Sequence, residues 1–459
     1  MSAITSDSKS TQSMESSFDV AILGAGILGV SLAYWISELY DISLCIIERE
    51  HGAGMHTSSR NTGVIHRPFY LNPEKKRIFA TAAQKSYSMW QKFAKKNNLP
   101  WSQVGTLELA TNEGDLDTLD RYGSWAAANG MEQSEYEVLD SSGVEKLEPY
   151  TKGLGAILSR TDTSVSFGAF TTKLYEVLLG HGVKFLGGFE AKKLSEGPDG
   201  IDLLCHSESI GEDRSIHCRF LINAAGGGAI DIAHSLDLAK EYTDLHFRGE
   251  YRTVDGSFGA KFSRNIYTVA KYKEFSFLDP HLIVRPNGIR EIGPNAVLVF
   301  DQYAYRGLSS KRREIVKKIF ERPLGPKMAL FTNRKFLSLV WNEWHSSIST
   351  RAMCERARRF LPTLSLANFA GHGIAGVRSS LIDRKGFVPE AVLLRGKNSF
   401  HILNYNSPGA TGAPAFSAYV VKMLQEEGYL GSQYCSSTNE DWKFETASDF
   451  SLVRELRQS

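Results

Sequence analysis

Residues 18–48, FDVAILGAGILGVSLAYWISELYDISLCIIE, constrain this chain more than any other stretch. An apolar run from Phe18 to Leu23 meets Gly24-Ala25-Gly26-Ile27-Leu28-Gly29 at once. Helical apolar spacing follows from Leu28 to Tyr40, and a second apolar run, Ile42 to Ile47, closes on Glu48. The pattern predicts strand, glycine turn, helix and strand. Gly24 permits the tight turn, Gly26 lets a pyrophosphate approach the backbone, and Gly29 lets helix and strand pack closely. The helix N-terminus at Ile27 and Leu28 offers N–H groups and a positive dipole end to phosphates. Glu48 is placed to accept hydrogen bonds from a ribose diol, with Arg49 beside it. The unit reads as a dinucleotide site and leaves FAD or a nicotinamide open.

At 459 residues the chain is long enough for two or three domains and a large core. A formal net charge of +2 and the lack of a long basic run give no reason to expect nucleic acid. No apolar stretch has membrane-spanning length. Residues 1–17 are rich in Ser and Thr and read as a flexible tail; Asp7, Glu15 and the absence of Arg argue against a transit peptide. The five cysteines, Cys45, Cys205, Cys218, Cys354 and Cys435, have neither CxxC nor metal-ligand spacing. They suit a reducing compartment, and no metal is expected. The expectation is a cytoplasmic protein, with peripheral membrane contact or a mitochondrial matrix location as alternatives.

His51 to Asn72 is too long for a simple turn, which marks it as functional. Asn72-Pro73 reads as an N-cap with proline at the first helical position, opening a helix with Ile78, Phe79, Ala82, Met89, Trp90 and Phe93 on its apolar side. Residues 101–150 mix short strands with charged helices. Strand signals recur at 155–158, 183–189 and 220–223, the last running into Ala224-Ala225-Gly226-Gly227-Gly228. Residues 240–345, rich in aromatic and β-branched runs, predict an antiparallel sheet. The C-terminal third returns to glycine at Gly371–Gly376 and again at Pro408-Gly409-Ala410-Thr411, which opens a helix through Gln425. The fold class expected is α/β with an α+β second domain. A Rossmann-like FAD-binding domain is assembled from 18–85, 151–235 and 366–430, with an antiparallel-sheet substrate domain from 86–150 and 236–365 and an extension at 431–459. The distant glycine turns favour FAD, whose isoalloxazine reaches far from the pyrophosphate and needs backbone contacts along its length.

The chain resembles the D-amino-acid-oxidase-like FAD oxidoreductases, and within them the L-2-hydroxyglutarate dehydrogenases. The resemblance is carried by GAGILG, Ser59-Arg60-Asn61-Thr62-Gly63-Val64-Ile65-His66, Asn223-Ala224-Ala225-Gly226, Phe247-Arg248-Gly249-Glu250-Tyr251, Gly293-Pro294-Asn295-Ala296, Gly376-Val377-Arg378 and Ser407-Pro408-Gly409-Ala410-Thr411. It implies bound FAD, oxidation of a 2-hydroxy acid to the 2-oxo acid, and electron transfer to a quinone, another carrier or oxygen. Ser59 to Gly63, Ala225, Gly226, Gly376, Arg378 and Pro408 to Thr411 join the expected cofactor shell. The chain departs from the family at Arg67-Pro68, at Arg252 and at Arg285-Pro286-Asn287, where specificity should be set.

Hydroxy-acid oxidation needs a base for the hydroxyl proton and cations for the carboxylate. Histidine suits the first role because its ordinary pKa of about 6.5 leaves it able to accept near neutrality. His66 is the first candidate, followed by His281 and His372. Arginine suits the second through bidentate geometry. Arg60, Arg67, Arg252, Arg285 and Arg378 are the candidates, with Arg252 and Arg378 preferred, while Tyr251 and Tyr267 offer hydroxyls. The competing readings are an amine or amino-acid oxidase resembling sarcosine oxidase, a glycerol-3-phosphate dehydrogenase, and an FAD-binding module without turnover.

Overall fold

The computed structural model describes residues 16–271, 279–431 and 441–451. Among these residues an eight-stranded sheet forms the nucleotide side. Ser16–Leu23 lies at its centre, parallel to Leu44–Glu48 on one flank and Glu212–Asn223 on the other. Lys184–Gly187 and Ser399–Leu403 continue the parallel array outward. Leu23 pairs with both Ile47 and Asn223, so three strands end at one edge, each running into a turn. In open α/β sheets that carboxyl edge is where ligands bind.

The helices Ile27–Leu39, Arg77–Lys96, Phe167–Gly180 and Gly409–Glu426 cover this sheet. Their core is built on Trp35 and Trp90, both fully buried. Each indole keeps a partner: Trp35 donates to the Pro414 carbonyl at 2.8 Å and Trp90 to that of Thr411 at 2.9 Å. Trp442, from the C-terminal extension, packs against both rings and donates to the Met89 carbonyl. Truncating a tryptophan packed this way typically costs about 3–5 kcal/mol, so Trp442 is an integral part of this core.

Among the described residues the second sheet has ten strands. Its spine is the long antiparallel pair Thr243–Val254 and Phe369–Asp383. Arg290–Gly293, His281–Val284, Asn265–Thr268, Thr106–Ala110, Gly155–Ser159 and Tyr136–Asp140 follow in spatial order, all antiparallel to their neighbours except Asn265–Thr268 with Thr106–Ala110.

Several sequence expectations change. The first strand starts at Ser16, inside the segment read as tail. Gly155–Ser159 and Phe369–Asp383 pair in the second sheet, although both were grouped with the nucleotide segments. Local periodicity identifies a strand but not its partner, which is a long-range choice. The helix expected to open at Pro73 begins at Arg77, because the Asn72 side chain caps a turn instead, accepting the N–H groups of Glu74 and Lys75. The antiparallel ladder expected across 240–345 ends at Val299, and Arg312–Phe320, Leu324–Phe331 and Arg334–Ile348 are helices. Of the five cysteines, four are buried free thiols, and Cys435 lies outside the described residues.

Candidate active site

The glycine turn has the geometry its residues demand. Gly24 adopts φ +99°, and a Cβ there would meet the Ala224 carbonyl oxygen at 2.7 Å. A Cβ on Gly29 would lie 1.9 Å from the Gly24 oxygen, so the helix can sit this close to the turn only without a side chain. Glu48 reaches back to the turn, accepting the Ala25 N–H at 2.7 Å and the Glu50 N–H at 2.9 Å. Ser58 accepts the Ile27 N–H at 2.9 Å, at the first turn of the helix.

From this turn a cavity of about 660 Å³ runs between the two sheets. Gly24, Gly26, Ile27, Leu28, Glu48 and Arg49 line one end, and Ala225 and Gly226 the side. Arg60, Asn61, Thr62, Gly376, Arg378 and Pro408 to Thr411 line the remainder, with His66 and Tyr251. Its volume falls in the range of cofactor sites, about 300–1,000 Å³. Gly376 is required where the sheets meet, since a Cβ there would lie 1.8 Å from the Arg60 oxygen. The helix Gly409–Glu426 points its N-terminus at the cavity, where a positive dipole end stabilises negative charge. Thr411 Oγ1 accepts the His66 N–H at 3.2 Å, tying that helix to the histidine segment.

A strap closes the glycine-turn end. Residues Asp301 to Tyr305 cross from the second sheet onto the first, and Gln302 and Tyr303 line the cavity. The Arg49 guanidinium lies 3.6 Å from the Tyr303 ring centroid. His56 bridges Tyr305, at 2.7 Å, and Glu50, at 2.9 Å, while Arg60 stacks on Tyr305.

At the opposite end stands His66. Its Nδ1 lies 2.9 Å from Asp162 Oδ2, and its Nε2 lies 3.5 Å from the Tyr267 hydroxyl. Asp162 is fully buried and accepts from four donors: His66, the Arg67 N–H, Ser159 and Thr106. A carboxylate so surrounded can only accept from Nδ1, so in the neutral imidazole the tautomer is set with the proton on Nδ1 and the lone pair on Nε2. Arg378 lines the same cavity, and burial pushes its pKa down to about 10. Lys76 does not line the cavity; burial and then Arg378 lower its pKa, against the opposing charge of Glu390.

The remaining candidates are placed elsewhere. His281 stacks on Tyr267 at 3.9 Å, behind the cavity wall, with Nδ1 3.2 Å from the Asp279 carbonyl and Nε2 3.4 Å from the Tyr251 hydroxyl. Burial pushes its pKa down to about 3, so it is neutral and fixes Tyr267 rather than meeting a substrate. His372 and Arg252 are register partners that contact each other outside the cavity lining, and Arg252 also donates to the Ser347 carbonyl. Arg67 is bound to Gln84 and Glu135. Arg285 pairs with Glu291 and donates to the carbonyls of Asn61 and Thr62. Thus Arg67, Arg252 and Arg285, expected to identify the substrate, are all engaged within the protein. Ser59 turns its hydroxyl to the His56 carbonyl, and its neighbour Ser58 takes the place expected of it. Gly63 supports the loop at φ +68° without lining the cavity. Sequence reasoning missed Asp162, Ser58 and Tyr303. Only Ser58, one residue from an expected position, carried any signal.

The site has the features an FAD molecule requires: a side-chain-free cradle at a helix N-terminus, a carboxylate at the second strand's end, and a second helix N-terminus at the far side. A family model described as FAD dependent oxidoreductase matches residues 19–423. L-2-hydroxyglutarate dehydrogenase of Caenorhabditis elegans is 27% identical, with 89% of this chain and 93% of the relative covered. The human L-2-hydroxyglutarate dehydrogenase is 25% identical, with 90% and 89% covered. Among solved structures, L-α-glycerophosphate oxidase of Mycoplasma pneumoniae superposes with a TM-score of 0.71 at 19% identity, covering 93% of this chain and 98% of the other.

Proposed function

We propose that this chain, which belongs to the FAD dependent oxidoreductase family, oxidises a 2-hydroxy acid to the 2-oxo acid, with L-2-hydroxyglutarate or a close relative as substrate. The observation that carries the reading is the His66–Asp162 pair at the cavity end. Removing the hydroxyl proton of an alcohol needs a positioned base, whereas a neutral amine can give up hydride without one. Bound FAD supplies the acceptor for the substrate's hydride.

The protein's own residues do the rest. His66 Nε2 takes the hydroxyl proton, and Asp162 stabilises the imidazolium that results. Tyr267, held by His281, keeps the ring at its angle. Arg378 binds the carboxylate beside the hydroxyl, where low exposure strengthens the pairing.

Anaerobic titration of the yellow holoenzyme tests this reading, using L-2-hydroxyglutarate, monocarboxylic L-2-hydroxy acids, glycerol 3-phosphate and sarcosine in turn. Bleaching of the flavin band by a 2-hydroxy acid is expected. Bleaching by sarcosine or glycerol 3-phosphate alone would replace the reading with that of another branch of the family.

A further inference from the structure

Three consecutive helices carry their apolar residues on the wrong side for a protein surrounded only by water. In Arg334–Ile348, Phe336, Leu339, Glu343 and Ser346 are buried against the second sheet, while Leu337, Trp341 and Ile348 face outward. Trp341 is 72% exposed and Ile348 84%. In Leu324–Phe331, Leu330 packs into the same cluster and Leu324, Met328 and Phe331 are exposed. In Arg312–Phe320, Lys318 turns inward to Asp244 and Glu321, leaving Val316, Ile319 and Phe320 outside. Each outward stripe follows the spacing of one helix face.

The charge on this insert is one-sided. Residues 306–348 contain ten Lys and Arg against three Glu. Glu321 is held by Lys318 and Lys327, Glu343 is buried against Arg356, and Glu314 pairs with Arg313. Lys311 and Lys317 pair with Glu208 and Asp231 from outside the insert, while Arg312, Arg322, Arg334 and Lys335 stay exposed among the apolar stripes.

We propose that residues 312–348 form a surface that docks on an anionic lipid membrane. No helix among the described residues is long and apolar enough to cross a bilayer, so the contact lies in the interface plane. Exposed aromatic and aliphatic side chains enter the boundary between headgroups and acyl chains, and the basic side chains pair with lipid phosphates. The charge favours this occupant over a second copy of the chain, which would bring two basic faces together, whereas an anionic bilayer neutralises them. The inference is independent of which substrate the active site accepts.

Flotation of the purified holoenzyme with vesicles tests it. Vesicles of phosphatidylcholine with phosphatidylglycerol should carry the protein, and phosphatidylcholine alone should carry about tenfold less. The triple variant Phe320→Ser, Trp341→Ser, Ile348→Ser should lose about tenfold or more of that binding while keeping its yellow cofactor and melting temperature. Failure of the parent protein to float with anionic vesicles overturns the proposal, as does equal flotation of the triple variant. A dimer that becomes monomeric in the triple variant, without flotation, would assign the surface to a second copy instead.

Discussion

Asp162 Oδ2 lies 2.9 Å from His66 Nδ1, on a fully buried carboxylate that also accepts from Thr106, Ser159 and the Arg67 backbone. Three donors other than His66 hold the carboxylate rigidly, so it sets both the tautomer and the tilt of the imidazole. Asp162→Asn should slow anaerobic flavin reduction about 10²-fold or more, with FAD content unchanged. His66→Asn should slow it at least as much. Rapid-mixing absorbance at the flavin band measures both, and near-parent rates in Asp162→Asn would remove the pair from the mechanism.

Gly29→Ala places a methyl group where the Gly24 oxygen now stands. The helix must then move off the turn, taking its N-terminus away from the pyrophosphate. FAD affinity, followed by recovery of flavin fluorescence on dilution, should fall by about 10²-fold or more.

Tyr303→Ala removes the aromatic face under Arg49 and opens the strap over the glycine-turn end. A cation–π contact with partial desolvation is worth about 1–2 kcal/mol, so FAD should dissociate roughly tenfold faster. Trapping released FAD with an excess of an apo-flavoprotein gives the rate, and an unchanged rate would show that the strap does not retain the cofactor.

Lys76→Met tests whether a cation outside the cavity lining, coupled to Arg378, contributes to dicarboxylate binding. If Lys76 holds the distal carboxylate, KM for L-2-hydroxyglutarate should rise about tenfold or more, while monocarboxylic 2-hydroxy acids change little. Equal changes for both would make Lys76 a structural residue.

Glu108 gives a pH dependence of known sign. Burial, then Asp162 and Asp115, push its pKa up to about 8. An unfolded glutamate ionises near pH 4.3, so the folded protein holds this proton more tightly. The stabilisation is full below about pH 4 and is lost as pH rises through about 8. Glu108→Gln, neutral at every pH, should melt higher than the parent at about pH 8 and close to it at about pH 5. A parallel pH profile in both proteins would refute the assignment.

The amphipathic helix Arg77–Lys96 and the glycine turn were legible because their signals are local. One is the spacing of Ile78, Phe79, Ala82, Met89, Trp90 and Phe93; the other is a fixed run of glycines between a strand and a helix. His66 was legible as a residue type beside a recognisable segment. Asp162 was not, since it stands 96 residues away in a turn without periodicity and matters only because the fold returns it to His66. The arginines show the converse, residues whose partners only the fold reveals. Arg67, Arg252 and Arg285 interrupt familiar motifs, yet each finds its partner inside the protein: Glu135, the Ser347 carbonyl and Glu291.

The order of residues alone therefore determined the strand–turn–helix unit and its dinucleotide chemistry and offered His66 as a candidate, because turn geometry and residue type are local properties. Tertiary structure decided which acid orients that histidine and which of the candidate arginines, Arg60 and Arg378, line the cavity. It also decided which sheet each strand joins and which faces of residues 312–348 meet solvent. These are matters of pairing and burial, and they exist only once distant segments exclude water from one another.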